Sequence, residues 1–412
     1  MKLQFISFAA TFIVLASCSR SGNDTPDVLP DAEPIKLRSA LVPKIETDNS
    51  FAFDLFKRLY SPEELSNTFV SPLSVSMALS MTLNGAAGET RREMESALKV
   101  DGFTAAEINE YCKTLREALL QVDPSTRFSI ANSIWTRRGF AVEQTFKNLN
   151  RESFAAEIKE ADFDNPATLT QINKWCADNT GNKIPAILEA INPDAVMYLI
   201  NAVYFKAIWK SKFDKQRTLD GVFKGEDGGN QNVKMMRQMQ QFGYNSDETA
   251  AWITMPYGNG AFSMTVILPH EGKTLNQLVD GLDNQSFKID DAGLAEVNLQ
   301  LPRFKTECEY RLEDVLPEMG MRLAFTDKAD FSGINQNAEI FISKVIHKTF
   351  ASIDEEGSEA AAVTAVEMGL TSAGPNDSQP VDFIVNKPFI FMIRENSTGV
   401  ILFMGAMKKI AE

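Results

Sequence analysis

His270 and His347 are the only two histidines in the 412-residue chain, and neither has the neighbours that hydrolytic chemistry needs. His270 lies in Pro269-His270-Glu271-Gly272, a surface turn by composition. The chain has no HExxH, no paired Cys/His spacing, no phosphate-cradling P-loop and no G-x-S-x-G elbow. Metal, phosphoryl and nucleophilic-serine chemistry therefore lack their parts. The reading is a chain that is not an enzyme and takes no metal or other cofactor. A secreted hydrolase is the rival that the missing catalytic set disfavours.

The residues able to do something unusual lie between 354 and 380. Asp354-Glu355-Glu356-Gly357-Ser358-Glu359-Ala360-Ala361-Ala362-Val363-Thr364 is followed by a polar run to Pro380. With a period of two, Ser358, Ala360, Ala362, Thr364, Val366 and Met368 share one face, all small or apolar, and Glu359 and Glu367 share the other. That is the pattern of a half-buried strand. The same residues are rich in helix formers, and a short surface helix from Ser358 to Gly369 fits them too. Extended segments at 341–353 and 381–392 flank a stretch that otherwise reads as a loop.

The elements around it read as helices first and strands later. Asn49-Ser50 is placed to cap a helix carrying Phe51, Leu55, Phe56 and Leu59. Pro72 suits the first turn of a second helix ending at Asn84-Gly85, and 104–122 and 169–179 are further amphipathic helices. After Tyr198 the character shifts to strands, with 251–257 and 261–268 joined by the hairpin signal Asn259-Gly260. This order, without regular alternation, predicts an α+β fold.

Residues 355–364 resemble the hinge of the reactive-centre loop of an inhibitory serpin, and the resemblance extends across nearly all the chain after residue 45. Asn67-Thr68-Phe69-Val70-Ser71-Pro72-Leu73-Ser74-Val75-Ser76 is similar to the start of the family's second helix. Leu199-Ile200-Asn201-Ala202-Val203-Tyr204-Phe205-Lys206, with Trp209 beyond, resembles a central strand of its main sheet. Phe325-Thr326-Asp327-Lys328-Ala329-Asp330-Phe331-Ser332-Gly333-Ile334 and Ser343-Lys344-Val345-Ile346-His347-Lys348 follow in the family's order. Phe383-Ile384-Val385-Asn386-Lys387-Pro388-Phe389-Ile390-Phe391-Met392-Ile393 is similar to its C-terminal signature.

The resemblance implies one large domain with a helix-rich N-terminal half, a large central sheet, further smaller sheets and an exposed reactive-centre loop at about 355–380. It implies an inhibitor that acts as a suicide substrate and traps serine, or cysteine, proteases in a covalent complex. The hinge would be Glu355, Gly357, Ser358, Glu359, Ala360, Ala361, Ala362 and Thr364. Counted in the family register, the reactive bond would join Thr371 to Ser372, with Leu370 and Met368 as secondary sites. Ser71, Ser74, Asn201 and His347 match the family's shutter, and Trp209 matches its breach. A lone histidine in a strand is equally a hydrogen-bonded core residue, and Trp209 equally a packed core aromatic. The alternative within the family is a non-inhibitory binding or chaperone module. Its hinge should carry proline or bulky groups on the inward face, whereas here proline is absent until Pro375.

Composition agrees with a large globular domain, apolar residues making 44% and charged residues 23% of the chain. No internal linker or repeat divides 46–412. The net charge of −14 disfavours a nucleic-acid partner, and Arg91-Arg92 is too small a basic pair for a polyanion patch. A monomer is expected.

Residues 1–18 read as an export signal: Lys2, an apolar run from Phe5 to Leu15, then Ala16-Ser17-Cys18. Leu15-Ala16-Ser17-Cys18 resembles a bacterial lipobox, in which Cys18 carries the lipid. Ordinary cleavage with an incidental Cys18 is the alternative. Residues 19–45, with Pro26, Pro30, Pro34 and Pro43, read as an extended tether. The expected location is a membrane-anchored lipoprotein facing the periplasm or the cell surface, or an extracellular protein if the signal is simply cleaved. Cys112, Cys176 and Cys308 are odd in number and far apart, so no disulfide framework is implied.

Overall fold

A computed structural model of the chain describes residues 29–286, 293–358 and 379–411. In the first half lie α1 (Pro43–Leu59), β1 (Thr68–Val70), α2 (Pro72–Leu83), α3 (Gly88–Ala97), α4 (Ala105–Leu119), β2 (Arg127–Arg137), α5 (Gln144–Phe154), β3 (Glu157–Ala161), α6 (Pro166–Asn179) and β4 (Met197–Ile208). Then come β5 (Leu219–Lys224), β6 (Asn230–Ser246), β7 (Ala250–Pro256), β8 (Phe262–Pro269), α7 (Leu275–Asp280), β9 (Gly293–Pro302), β10 (Phe304–Arg311), β11 (Ile346–Ile353), β12 (Gly357–Ser358), β13 (Val381–Ile384), β14 (Phe389–Glu395) and β15 (Ile401–Met407). This is the expected α+β architecture.

Local chemistry sets the helix ends. The Ser71 hydroxyl caps α2 by accepting the Ser74 N–H, and Pro72 supplies the first-turn φ. Thr104 and Glu107 form a reciprocal capping box at the start of α4. α2 is buried nearly all round, its Leu73, Val75, Met77, Leu79 and Met81 together with Ser74, Ser76 and Ser80, as befits a helix enclosed by other elements.

Two boundaries differ from the sequence reading. α1 starts at Pro43, so Asn49 and Ser50 lie inside it and do not cap it. Asn49 is spent on a long-range tie: its Nδ2 donates to Gly399 O at 2.9 Å and its Oδ1 accepts the Ile401 N–H at 3.0 Å. The described part of the tether also touches the body, with Leu41 buried and Ala32, Ile35 and Leu37 packed against the core. Strands also begin well before Tyr198. β2 was hidden because Ser129, Asn132 and Ser133 interrupt its apolar residues, yet Asn132 and Ser133 are buried and face other polar groups.

Two sheets carry the fold. The six-stranded sheet runs β10-β11-β12-β4-β2-β3. The smaller sheets expected beside it join into one nine-stranded sheet, a path of eight strands with β5 branching from β6, because β6 pairs with β9 over Met235–Tyr244 and with β7 at its far end. Between the two sheets lies an aromatic core in which Phe205 meets Phe128, Tyr257, Phe262 and Phe403 at ring centroid distances of 5.4–6.1 Å.

Candidate functional site

The site is built where β11 turns back into β12. Asp354 N–H donates to Gly357 O at 3.0 Å and Gly357 N–H returns a bond to Asp354 O at 3.3 Å, closing a hairpin whose two loop residues are Glu355 and Glu356. The Asp354 carboxylate accepts the Glu356 N–H at 2.9 Å and stiffens the turn. Gly357 has φ +151°, and a Cβ there would stand 2.0 Å from Ala207 O, so no other residue fits without moving β4.

β12 is only two residues long, yet it lies between two strands. Ser358 pairs with Ile353 of β11 and with Ala207 of β4, and Gly357 pairs with Ile208. Ser358 is buried, and its Oγ lies 2.6 Å from Tyr257 Oη. Trp209 stacks on the Tyr257 ring at 4.3 Å, sends its indole N–H to Asp354 O at 2.8 Å, and donates its backbone N–H to Glu356 O at 2.8 Å. Phe213 N–H holds Glu355 O at 3.0 Å.

Both loop glutamates are gripped. Glu355 is buried, and its Oε1 accepts from Arg303 Nε at 2.8 Å, Arg303 Nη2 at 2.5 Å and Thr218 Oγ1 at 2.5 Å. Burial alone would raise its pKa, but these hydrogen bonds outweigh it and hold the carboxyl below its ordinary value. Glu356 pairs with Lys212 at 2.8 Å and Lys215 at 2.9 Å, which lowers its pKa. Burial raises that of Asp354, against the hydrogen bonds from Glu356 and Gly357.

Beneath Ser358 the strands part. No described residue of β4 pairs with β11 there. Toward the far end of the two strands, six positions along β4 from Ala207, a cleft of about 600 Å³ opens, lined by Ala78 and Leu79 of α2, Tyr198 and Asn201 of β4, Phe341 and His347. A polar chain crosses its floor. His347 Nε2 accepts the Ser71 N–H at 3.1 Å, the Ser74 hydroxyl donates to Asn201 Oδ1, and Asn201 Nδ2 donates to Asn132 Oδ1 at 2.7 Å. Asn132 then bonds Phe154 O at 2.7 Å. Burial pushes the His347 pKa down to about 4, so the ring is neutral and able to accept.

The structure thus brings together Ser71, Ser74, Asn201 and His347, and sets Trp209 directly on the hairpin that begins the loop. Asn201 and His347 share no hydrogen bond among the described residues; they are joined through Ser71 and Ser74. Sequence reasoning missed Asn132, Tyr257, Thr218, Lys212, Lys215 and Arg303. Only the cluster of cations after Trp209, on so acidic a chain, could have pointed to the lysines. Glu359, Ala360, Ala361, Ala362, Thr364, Met368, Leu370, Thr371, Ser372 and Cys18 lie outside the described residues.

Comparison with known proteins defines the class. The family model for serpins, the serine protease inhibitors, matches residues 46–410. The chain is 34% identical over 369 residues to an uncharacterised serpin-like protein of Thermococcus kodakarensis, covering 89% of this chain and 85% of that one. It is 33% identical over 371 residues to the leukocyte elastase inhibitor of Sus scrofa, covering 87% and 97%. The thermophilic serpin tengpin in its native state superposes with a TM-score of 0.81 at 34% identity, over 92% of this chain and 97% of that one. The chain belongs to the serpin family.

Proposed function

We propose that this serpin inhibits endopeptidases as a suicide substrate. The observation that carries the reading is the position of Gly357 and Ser358, already seated as a strand between β4 and β11, two strands that further along flank an open cleft. A protease that attacks the loop forms an acyl-enzyme. Cleavage then frees the chain after Ser358 to continue down the cleft as a new strand, carrying the acylated protease with it. Strand addition and release of stored strain on loop insertion are general serpin physics, and a strand already begun at Ser358 supports their use here. From Ser358 to Thr371, at roughly 3.3 Å per residue, the travel is about 45 Å. New ladder hydrogen bonds worth roughly 0.5–1.5 kcal/mol each add up to the order of 10 kcal/mol, comparable to the stability of a domain.

The targets in this reading are serine proteases of elastase, subtilisin or chymotrypsin type, with cysteine proteases second. Cys18 holds the domain on a membrane through the tether. Incubation with pancreatic elastase and subtilisin, followed by a denaturing gel, tests the function. A band at the summed mass of inhibitor and protease supports it. Loop cleavage with no such band makes the protein a non-inhibitory member of the family.

A further inference from the structure

We infer that the 354–357 turn sets the register of the inserting strand, with Glu356 and its two lysines acting as positioning residues. The inference rests on the insertion reading above and adds how the inserted strand is aligned.

The need for such a device comes from the loop's own sequence. A strand normally finds its register because a one-residue slip turns its apolar face outward. Ala360-Ala361-Ala362 presents the same methyl group on both faces, so this early part of the inserting chain cannot tell one register from the next. Within that run a slip meets no side-chain penalty, and only single residues on either side, Glu359 before it and Glu367 after it, would be forced inward. Something ahead of Ser358 must fix the alignment.

The turn has three independent means of doing so. A two-residue hairpin loop permits one pairing between its strands. The position of Gly357 accepts glycine alone, because a Cβ would meet Ala207 O at 2.0 Å; moving the chain by one residue would drive Glu356 or Ser358 into that oxygen. The two loop glutamates are held by different partners, Glu355 by Arg303 and Thr218, Glu356 by Lys212 and Lys215. A slip of one residue toward the C-terminus would set Gly357 before the lysine pair. A slip the other way would put Asp354, shorter by a methylene, before Arg303. The Glu355 and Glu356 carbonyls are also fastened, to Phe213 N–H and Trp209 N–H. All of these holds lie above Ser358, so they persist while the chain below it inserts.

The register they dictate follows from the pairing of Ser358 with Ala207: two residues on, Ala360 comes opposite Phe205, and Ala362 opposite Val203. Full-length protein carrying Val203→Cys with Ala362→Cys, nicked in its loop by subtilisin and mildly oxidised, should form that disulfide. Val203→Cys paired with Ala361→Cys or Val363→Cys should not. Adding Lys212→Ala and Lys215→Ala, which leaves the loop sequence untouched, should lower the in-register cross-link severalfold and let a slipped one appear. Restoring the attraction with Glu356→Lys, Lys212→Glu and Lys215→Glu should recover the parent pattern, which a merely structural role for the lysines would not require. Gly357→Ala should show the same slippage. An undiminished in-register cross-link in both the lysine and the glycine variants overturns the inference while leaving insertion intact. If the nicked parent cross-links in no register, insertion itself fails, and the proposed function falls with it.

Discussion

Tyr257 Oη and Ser358 Oγ lie 2.6 Å apart, both buried, under the stacked indole of Trp209. Burial drives the phenol pKa far above its ordinary range, with the Ser358 bond acting the other way, so Tyr257 is neutral and able to donate. Tyr257→Phe should leave the Ser358 hydroxyl buried without this partner, at a cost of about 1–3 kcal/mol. The measurement is the urea midpoint of the intact protein. An unchanged midpoint would mean that the pair contributes nothing to holding the hinge.

Ser358→Arg places a cation where the side chain now meets the Tyr257 phenol in a buried setting. A cation buried against a neutral phenol carries a desolvation cost with no opposite charge supplied by that contact, so insertion should stall. The variant should be cleaved in its loop at the parent rate yet release active protease. Trapping at the parent level would remove hinge insertion from the mechanism of this chain.

Cleavage of the loop by a non-target protease should raise the thermal midpoint of the domain sharply. Between β4 and β11, below Ser358, no ladder pairing joins the two strands among the described residues, and a strand placed there would supply partners for both. Scanning calorimetry of the intact and nicked forms reads this directly. A nicked form that melts at or below the intact one is the result that excludes a metastable native state.

How much of this was legible in the residues alone differs by element. The strand periodicity read from the sequence starts at Ser358, and Ser358 does sit in the sheet, whereas the rest of that pattern lies outside the described residues. Pro72, Asn84 and Asn259-Gly260 marked real ends and turns, because each acts through local backbone preference. Asn49 looked like a cap and is instead a tie to β15, a partner some 350 positions away that no local pattern reveals. For the same reason Tyr257, Arg303 and Asn132 went unseen. Each matters through hydrogen bonds to residues distant in sequence, and each is unremarkable in its own segment.

His347 provides a pH dependence. Its pKa is about 4 in the fold, against an ordinary value of 6.5, because burial disfavours the charged ring. The unfolded chain therefore binds the extra proton first as pH falls. The stabilisation is fully present above pH 6.5, erodes below it, and is gone once pH drops past about 4, up to ~3 kcal/mol in all. Urea midpoints between pH 7 and 4 should show this slope, and His347→Gln should flatten it. A variant retaining the full slope would assign it to other groups.

The reactive bond is the most specific expectation. Counted from Glu355 in the family register, it would join Thr371 to Ser372. Thr371 is small and β-branched and suits a shallow specificity pocket, whereas Leu370 and Met368 suit deeper apolar ones. No Lys or Arg occurs between Ala351 and Pro380, so a trypsin-like pocket finds no charge partner in the loop. Elastase- and subtilisin-like proteases should be trapped, and trypsin should not. Mass analysis of the peptide released on complex formation should give a fragment beginning at Ser372. A fragment beginning at Thr371 would move the reactive residue to Leu370 and favour chymotrypsin-like enzymes. A start outside residues 368–373 would break the register on which the assignment depends, and efficient trapping of trypsin would do the same from the side of specificity.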